Sequence, residues 1–251
     1  MEFSPALYLI APALVFAGYV VFGISGFGAT IVIVPMLAHF LPLKFVVPLT
    51  LLLDLGATLL MRANKGGHGR DMGEIRWMVP FMLIGMALGA YLLKVAPERW
   101  LMLALGLFVA GYAILNLTRR KNAAGSIARF WGAPLSMLGG IGSSLFGTGG
   151  AVYSIYVTRR VHEPGAMRAT MSTIIAISVL VRLVIFAFAG LLLKAELGLA
   201  SAALMLFMAG GLLLGMRLHT RMQPDQVRGV VHVLLVVSGT SLVLRALSMA
   251  A

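Results

Sequence analysis

The chain contains no cysteine, so neither a disulfide nor a thiolate metal site is available to it. Charge is scarce as well: 11% of the 251 residues are charged, and only 8 of them are acids. With 60% hydrophobic residues and a mean hydropathy of +0.98, there is too little polar surface to coat a water-soluble globule, which makes this an integral membrane protein. The alternating ten-residue pieces of a membrane β-barrel are also missing. The apolar runs are long and unbroken, so the expected fold class is all-α and polytopic, built from spans of about 20 residues. The opening stretch Met1-Glu-Phe-Ser-Pro5 carries an acid and no base. It lacks the positive region of a cleaved leader, and the first hydrophobic segment is expected to remain.

The apparatus of an enzyme is absent too. An intramembrane enzyme needs paired acids or a nucleophile beside a histidine, and no such constellation occurs. His39, His68, His162, His219 and His232 fall at span ends, in loops or in the first turns of the last span, without metal-ligand spacing. No catalytic residue, metal or cofactor is expected, and the sixteen methionines read as apolar filler.

A net charge of +12 suggests nucleic acid at first sight, but the bases sit in short loops between apolar spans. Four loops, around 62–76, 119–129, 159–168 and 217–228, hold fourteen of the 20 Lys and Arg. That is an orientation signal placing these loops in the cytoplasm, and nucleic acid is set aside as a partner.

Glycine is the residue present in excess, and two clusters of it interrupt apolar runs. Gly23-Ile-Ser-Gly-Phe-Gly-Ala-Thr30 breaks the run from Pro5 to Phe40. Gly139-Gly-Ile-Gly-Ser-Ser-Leu-Phe-Gly-Thr-Gly-Gly150 breaks a second run, and a shift of 121 positions lays Gly26 and Gly28 on Gly147 and Gly149. Later in each half, Gly85-xxx-Gly89 with Pro97-Glu98 answers Gly211-xxx-Gly215 with Pro224-Asp225. This ordered series marks a duplication, and the four spaced glycines are expected to serve close helix packing.

The expected organisation is a first repeat over 1–121, a linker over 122–129 and a second repeat over 130–251. The first holds a broken hairpin at 5–40 and spans at 43–61, 75–93 and 99–117. The second holds a broken hairpin at 130–158 and spans at 169–193, 197–216 and 226–247. Because the loops on both sides of the second hairpin are basic, it begins and ends in the cytoplasm. The first begins and ends outside, with both chain termini outside. A broken hairpin plus three spans, occurring twice in opposite orientation, is the inverted-repeat plan of many secondary transporters.

Non-helical backbone within hydrocarbon is tolerated only where protein or a watery cavity encloses it, so two matched breaks point to one cavity. The segments restarting after each break present free N–H groups and the positive end of a helix dipole, which favours an anion. Gly26, Gly28, Gly147, Gly149 and Gly150 would let backbone amides approach a ligand, with Ser25, Thr30, Ser143, Ser144 and Thr148 adding hydroxyls. The same glycines could instead let hairpin legs pack closely, with the hydroxyls bonded back to their own helices. Thr50, Ser172 and Thr173 occupy matching spans as cavity wall or as interhelical bonds. Arg182 lies near the middle of its span, where it could hold an anion, pair with Asp54 or snorkel. Asp54 is the candidate for accepting a coupling proton.

These features resemble the TauE/SafE family of membrane transporters, the sulfite exporter or toluene-sulfonate-uptake type. The residues carrying the resemblance are Gly23-Ile-Ser-Gly-Phe-Gly28 with Pro35 following, Gly147-Thr-Gly-Gly150, Thr50, Ser172-Thr173 and the paired Gly-xxx-Gly and Pro-acid elements. The resemblance implies duplicated four-segment halves and movement of sulfite, sulfonates, sulfoacetate or related small anions. Asp54, Arg182 and Ala29 depart from its pattern. The expected function is secondary transport of such an anion, held between the hairpin tips at the midplane, with one half moving against the other. An anion channel using the tips as a filter and a non-transporting scaffold subunit are the alternatives. Expected partners are the anion, the bilayer of a bacterial-type inner membrane, a coupling proton or ion, and a second copy in a homodimer.

Overall fold

The computed structural model describes residues 5–26, 28–63, 69–118, 127–218 and 239–242. Most of the span expected at 226–247 lies outside the described residues. Among those described, the regular structure is helical: α1 (Pro5–Ser25), α2 (Ala29–Leu37), α3 (Leu43–Ala63), α4 (Met72–Val95), α5 (Glu98–Thr118), α6 (Gly132–Phe146), α7 (Gly149–Arg160), α8 (Pro164–Phe188) and α9 (Ala195–Leu218). A single 3-10 turn, Arg129–Trp131, leads into α6. Among the described residues, four stretches within α3, α4, α8 and α9 are long and apolar enough to cross a bilayer. Bulky apolar side chains face outward along them, as with Leu199, Leu206 and Leu213 at seven-residue spacing on α9. That stripe suits lipid and would be a liability in water.

The local chemistry explains several helix ends. Asp71 caps α4 by accepting the Glu74 N–H, with Glu74 in the first turn and Lys94 in the last, matching the helix dipole. Glu163 caps α8, with Pro164 at its first position, by accepting the Gly165 and Ala166 N–H groups. The expected span 169–193 stops at Phe188 because Gly190 turns left-handed (φ 75°). Leu191 N–H then bonds Phe186 O and Gly190 N–H bonds Ala187 O, the paired bonds of a Schellman terminus.

Both chain breaks are narrower than the glycine clusters suggest. In the first cluster Gly23 remains helical, and the break is confined to the residues between Ser25 and Ala29. Gly139, Gly140 and Gly142 all lie inside α6, and the second break is Gly147-Thr148 alone. The helical glycines instead make close approach possible. A Cβ on Gly139 would strike the Tyr153 ring, one on Gly140 the Met82 carbonyl, and one on Gly23 would lie 2.6 Å from the Leu212 carbonyl oxygen.

The spaced glycines have the same use in both halves. Gly85 and Gly89 of α4 meet the carbonyls of Met137 and Ile141 on α6; Gly211 and Gly215 of α9 meet those of Phe16 and Val20 on α1. Residue numbers rise together across each contact, so α4 runs parallel to α6 and α9 parallel to α1. Each broken hairpin therefore has its first leg seated on a helix of the other half.

The open ends of the hairpins lie at opposite ends of α4. At its start, Glu74 accepts from Arg160 (2.8 Å) and from the Tyr156 hydroxyl (2.5 Å), while Arg129 donates to the Gly73 carbonyl (3.0 Å). This holds both ends of the α6–α7 hairpin there. At the far end of α4, Lys44 donates to the Lys94 carbonyl (2.9 Å) and Leu43 N–H bonds the Glu98 carboxylate, holding the exit of the α1–α2 hairpin. The 24 residues of α4 separate these points by roughly 36 Å, more than the hydrocarbon thickness. By contrast α2 (9 residues) and α7 (12 residues) extend only ~14 and ~18 Å and stop inside.

Gly89→Val and Gly215→Val are each expected to cost at least the ~1–3 kcal/mol of an overpacked core, because the new side chain meets backbone. Gly111→Ala in α5, where a Cβ meets nothing within 4 Å, should be neutral or stabilise by up to ~1 kcal/mol. Thermal unfolding midpoints of the purified variants check this contrast.

Candidate functional site

The helix leading into each break ends on a left-handed glycine. Gly26 (φ 82°) ends α1 with its N–H on Phe22 O (2.7 Å), and Gly147 (φ 72°) ends α6 with its N–H on Ser143 O (2.8 Å). The two match at the 121-residue shift, and only glycine takes this conformation without strain. The restarts differ. Gly28 (φ 96°) is the residue before α2, whereas Thr148 holds that place before α7 and Gly149 is already helical. The first elbow is one residue longer, so the shift that aligns Gly26 with Gly147 does not give Gly28 and Gly149 the same role.

The two elbows touch. The Thr30 hydroxyl, in the first turn of α2, donates to the Gly147 carbonyl at 2.6 Å. A Cβ on Gly147 would come within 3.0 Å of the Thr30 side chain and 3.2 Å of Arg182 Nη1. Around this contact lies a partly open cavity lined by Gly28, Thr30, Gly147, Thr148 and Gly150 from the elbows. Asp54 of α3, Ser143 of α6, Tyr153 of α7 and Ser178 and Arg182 of α8 complete its polar wall. Its volume is about 30 Å3, enough for two or three waters at ~10–15 Å3 each and too little for an organic anion.

Arg182 dominates the electrostatics. It is 2% exposed, among the largest fully buried side chains, and its Nη2 donates to Asp54 Oδ2 at 3.0 Å. The other Asp54 oxygen accepts from the buried Tyr19 hydroxyl at 2.8 Å. Arg182 Nη1 donates to the Ser143 carbonyl at 2.7 Å, while Nε has no hydrogen-bond partner. Of the readings open for Arg182, the structure shows the Asp54 pair, and the side chain does not snorkel. Pairing does not exhaust it, because one buried donor is left over, and such a donor carries a desolvation cost of about 1–3 kcal/mol until something accepts from it.

The remaining expected site residues divide. Thr148 lines the cavity but bends its hydroxyl back to Gly142 O (3.3 Å). Gly149 serves packing: its would-be Cβ lies 2.5 Å from the Gly139 carbonyl and 2.6 Å from Ser143 Cβ. Ser172 and Thr173 are not in the cavity wall; they precede Ile175, the first residue of α8 that reaches it, and Thr173 returns its hydroxyl to Ala169 O. Thr50 likewise bonds Val47 O. Tyr19, Tyr153 and Ser178, whose hydroxyl pairs with that of the expected Ser143 (2.8 Å), are site features that composition and spacing left unmarked. Ser178 could have been found by counting one helical turn back from Arg182, since residues four apart share a helix face. The Tyr156–Glu74–Arg160 cluster also escapes the sequence, because its members are more than 80 positions apart along most of its bonds.

These features define a multi-pass helical membrane protein whose two broken hairpins meet over a buried polar cavity. The chain belongs to the family described as Sulfite exporter TauE/SafE, which it matches over residues 10–242. It is similar to the "Probable inner membrane transporter protein TsaS" of Comamonas testosteroni, with 26% identity over 199 residues, covering 77% of this chain and 81% of that protein. No solved structure matches. Both names are those of transporters rather than enzymes, and the protein is accordingly a membrane transporter.

Asp54→Ala and Arg182→Ala should each destabilise by about 3–5 kcal/mol, since each leaves the other charge buried and unpaired. The double variant is expected to lose less than the sum of the two. Unfolding midpoints of the three variants give the coupling, and simple additivity would show that the two charges act independently.

Proposed function

We propose that this protein is a secondary transporter of small sulfur oxyanions or related organic anions, of the sulfite, sulfonate and sulfoacetate type, bound between the two elbows. The observation that carries the reading is the convergence at one cavity of both helix restarts, Gly28 and Gly147 from the two elbows, and a buried arginine with an unused donor. A sulfonate or sulfite group spreads its charge over several oxygens. Backbone amides and hydroxyls can therefore replace much of its water, and binding by neutral donors stays weak enough for release. The family's description as a sulfite exporter agrees with this class of cargo, and the relative's name agrees with transport.

The transport cycle follows from the same geometry. A cavity that holds a few waters must enlarge to admit an organic anion, and an element that opens towards one face must close towards the other. The two hairpins, held at opposite ends of α4, are the elements able to do this, as in two repeats of opposite orientation. The glycine contacts between α1 and α9 and between α4 and α6 are too close to slide, so the moving bodies are these interlocked pairs and not the two sequence halves. Basic loops face the cytoplasm and both termini lie outside.

The purified protein should gain thermal stability with sulfite, sulfoacetate, taurine-like sulfonates or short carboxylates, as any ligand of the native state produces. Thr30→Val removes the bond between the elbows without changing side-chain volume, and it should weaken that gain severalfold. A ligand that accumulates in proteoliposomes against its gradient identifies a coupled carrier, since a channel cannot do this. No stabilisation by any of these anions would leave a scaffold as the better account.

A further inference from the structure

The guanidinium of Arg182 can present two forks; with Nη1 tied to the Ser143 carbonyl, the one left for a two-oxygen ligand is formed by Nε and Nη2 on the same edge. Asp54 occupies half of it. One carboxylate oxygen takes Nη2 (3.0 Å), the other is turned away to Tyr19 (2.8 Å), and Nε is left without an acceptor although the side chain is 2% exposed. A carboxylate free to choose would take both arms, because the two-armed geometry is the stronger one. Here Tyr19 holds the carboxylate in a one-armed pose. The third nitrogen, Nη1, is committed to the Ser143 carbonyl, which fixes the plane of the group, and Arg182 is one of the residues lining the cavity.

We propose that Asp54 is a built-in stand-in for the transported anion, and that it yields the Arg182 fork to that anion when it takes up a proton. This rests on the anion-transport reading and adds the coupling ion to it. The charge count gives the reason. Among the residues lining the cavity, Arg182 and Asp54 are the charged ones, and their charges cancel; no histidine, lysine or second carboxylate faces them there. Tyr19 of α1, Tyr153 of α7, Ser143 of α6, Thr30 of α2 and Ser178 of α8 supply only neutral donors. An anion entering with Asp54 ionised leaves the enclosure with a net negative charge and competes with the carboxylate for one guanidinium. An anion entering with a proton on Asp54 leaves it neutral, and both fork arms are then available to two oxygens of the ligand.

Proton and anion therefore favour each other's binding, and this preference is reciprocal. The proton arrives from the aqueous side to which the cavity is open, adds to an oxygen of the Asp54 carboxylate and releases Nη2. It departs on the other side after the anion leaves and the carboxylate reclaims its arm. One proton accompanies each monovalent anion.

The test uses the full chain in detergent or nanodiscs, with methanesulfonate as probe because its charge does not change between pH 5 and pH 8. Calorimetric titration in two buffers of different ionisation enthalpy counts the protons taken up. The wild type should take up about one proton per anion, with affinity falling towards about tenfold per pH unit at the alkaline end. Asp54→Asn should bind methanesulfonate with no proton uptake and a flat pH profile, and in proteoliposomes it should exchange the anion without concentrating it. Wild-type binding without proton uptake would overturn this proposal and leave the transport reading standing. Absence of any anion binding at every pH would sink both. If Asp54→Asn does not fold, the wild-type proton count still decides.

Discussion

Hydrocarbon offers no hydrogen bonds, and this constraint shapes the whole molecule. A helix can cross it because every interior N–H and C=O is paired, and a chain that stops and turns halfway must find a protein enclosure for what it leaves unpaired. This protein does so twice, with Gly26 and Gly147 turning left-handed at the ends of α1 and α6. The enclosure is supplied by the first legs' close seating on helices of the other half and by the contact of Thr30 with the Gly147 carbonyl. The cavity exists because those two solutions meet in one place.

Within that enclosure the polar groups are arranged economically. Arg182 reaches a carbonyl of α6 and a carboxylate of α3, so a single side chain of α8 joins three helices drawn from both halves. Glu74 does the same at one end of the bundle, joining α4 to both ends of the second hairpin through Arg160, Tyr156 and the neighbouring Arg129. The central pair faces the cavity, whereas the Glu74 cluster is positioned where a hairpin enters. The first is suited to meeting a solute and the second to fixing the frame around it.

The sequence revealed the class of fold because composition and run length are sufficient to distinguish membrane helices from a soluble core. It revealed the elbows because glycine excess inside an apolar run is hard to explain otherwise. What it could not reveal is which glycines bend the chain. Gly139 and Gly147 are the same residue in the same cluster, and their roles separate only when the ring of Tyr153 is seen against one and Thr30 against the other. The partner of Arg182 was legible as a choice between few buried charges, while the one-armed geometry and the role of Tyr19 depend on contacts between distant positions. Ser172 and Thr173 looked promising from spacing alone, yet a helix has only one face towards a cavity and a limited depth at which it reaches it.

The crossed seating of the hairpins also sets an order of assembly. When α6 emerges from the ribosome, the helix that receives it, α4, has already been made. When α1 emerges its receiving helix does not yet exist: Gly23 meets Gly215, which follows 192 residues later. At about 5–20 residues per second, that delay is roughly 10–40 s. For that interval the first leg of the first hairpin lacks the helix it is seated on in the finished protein.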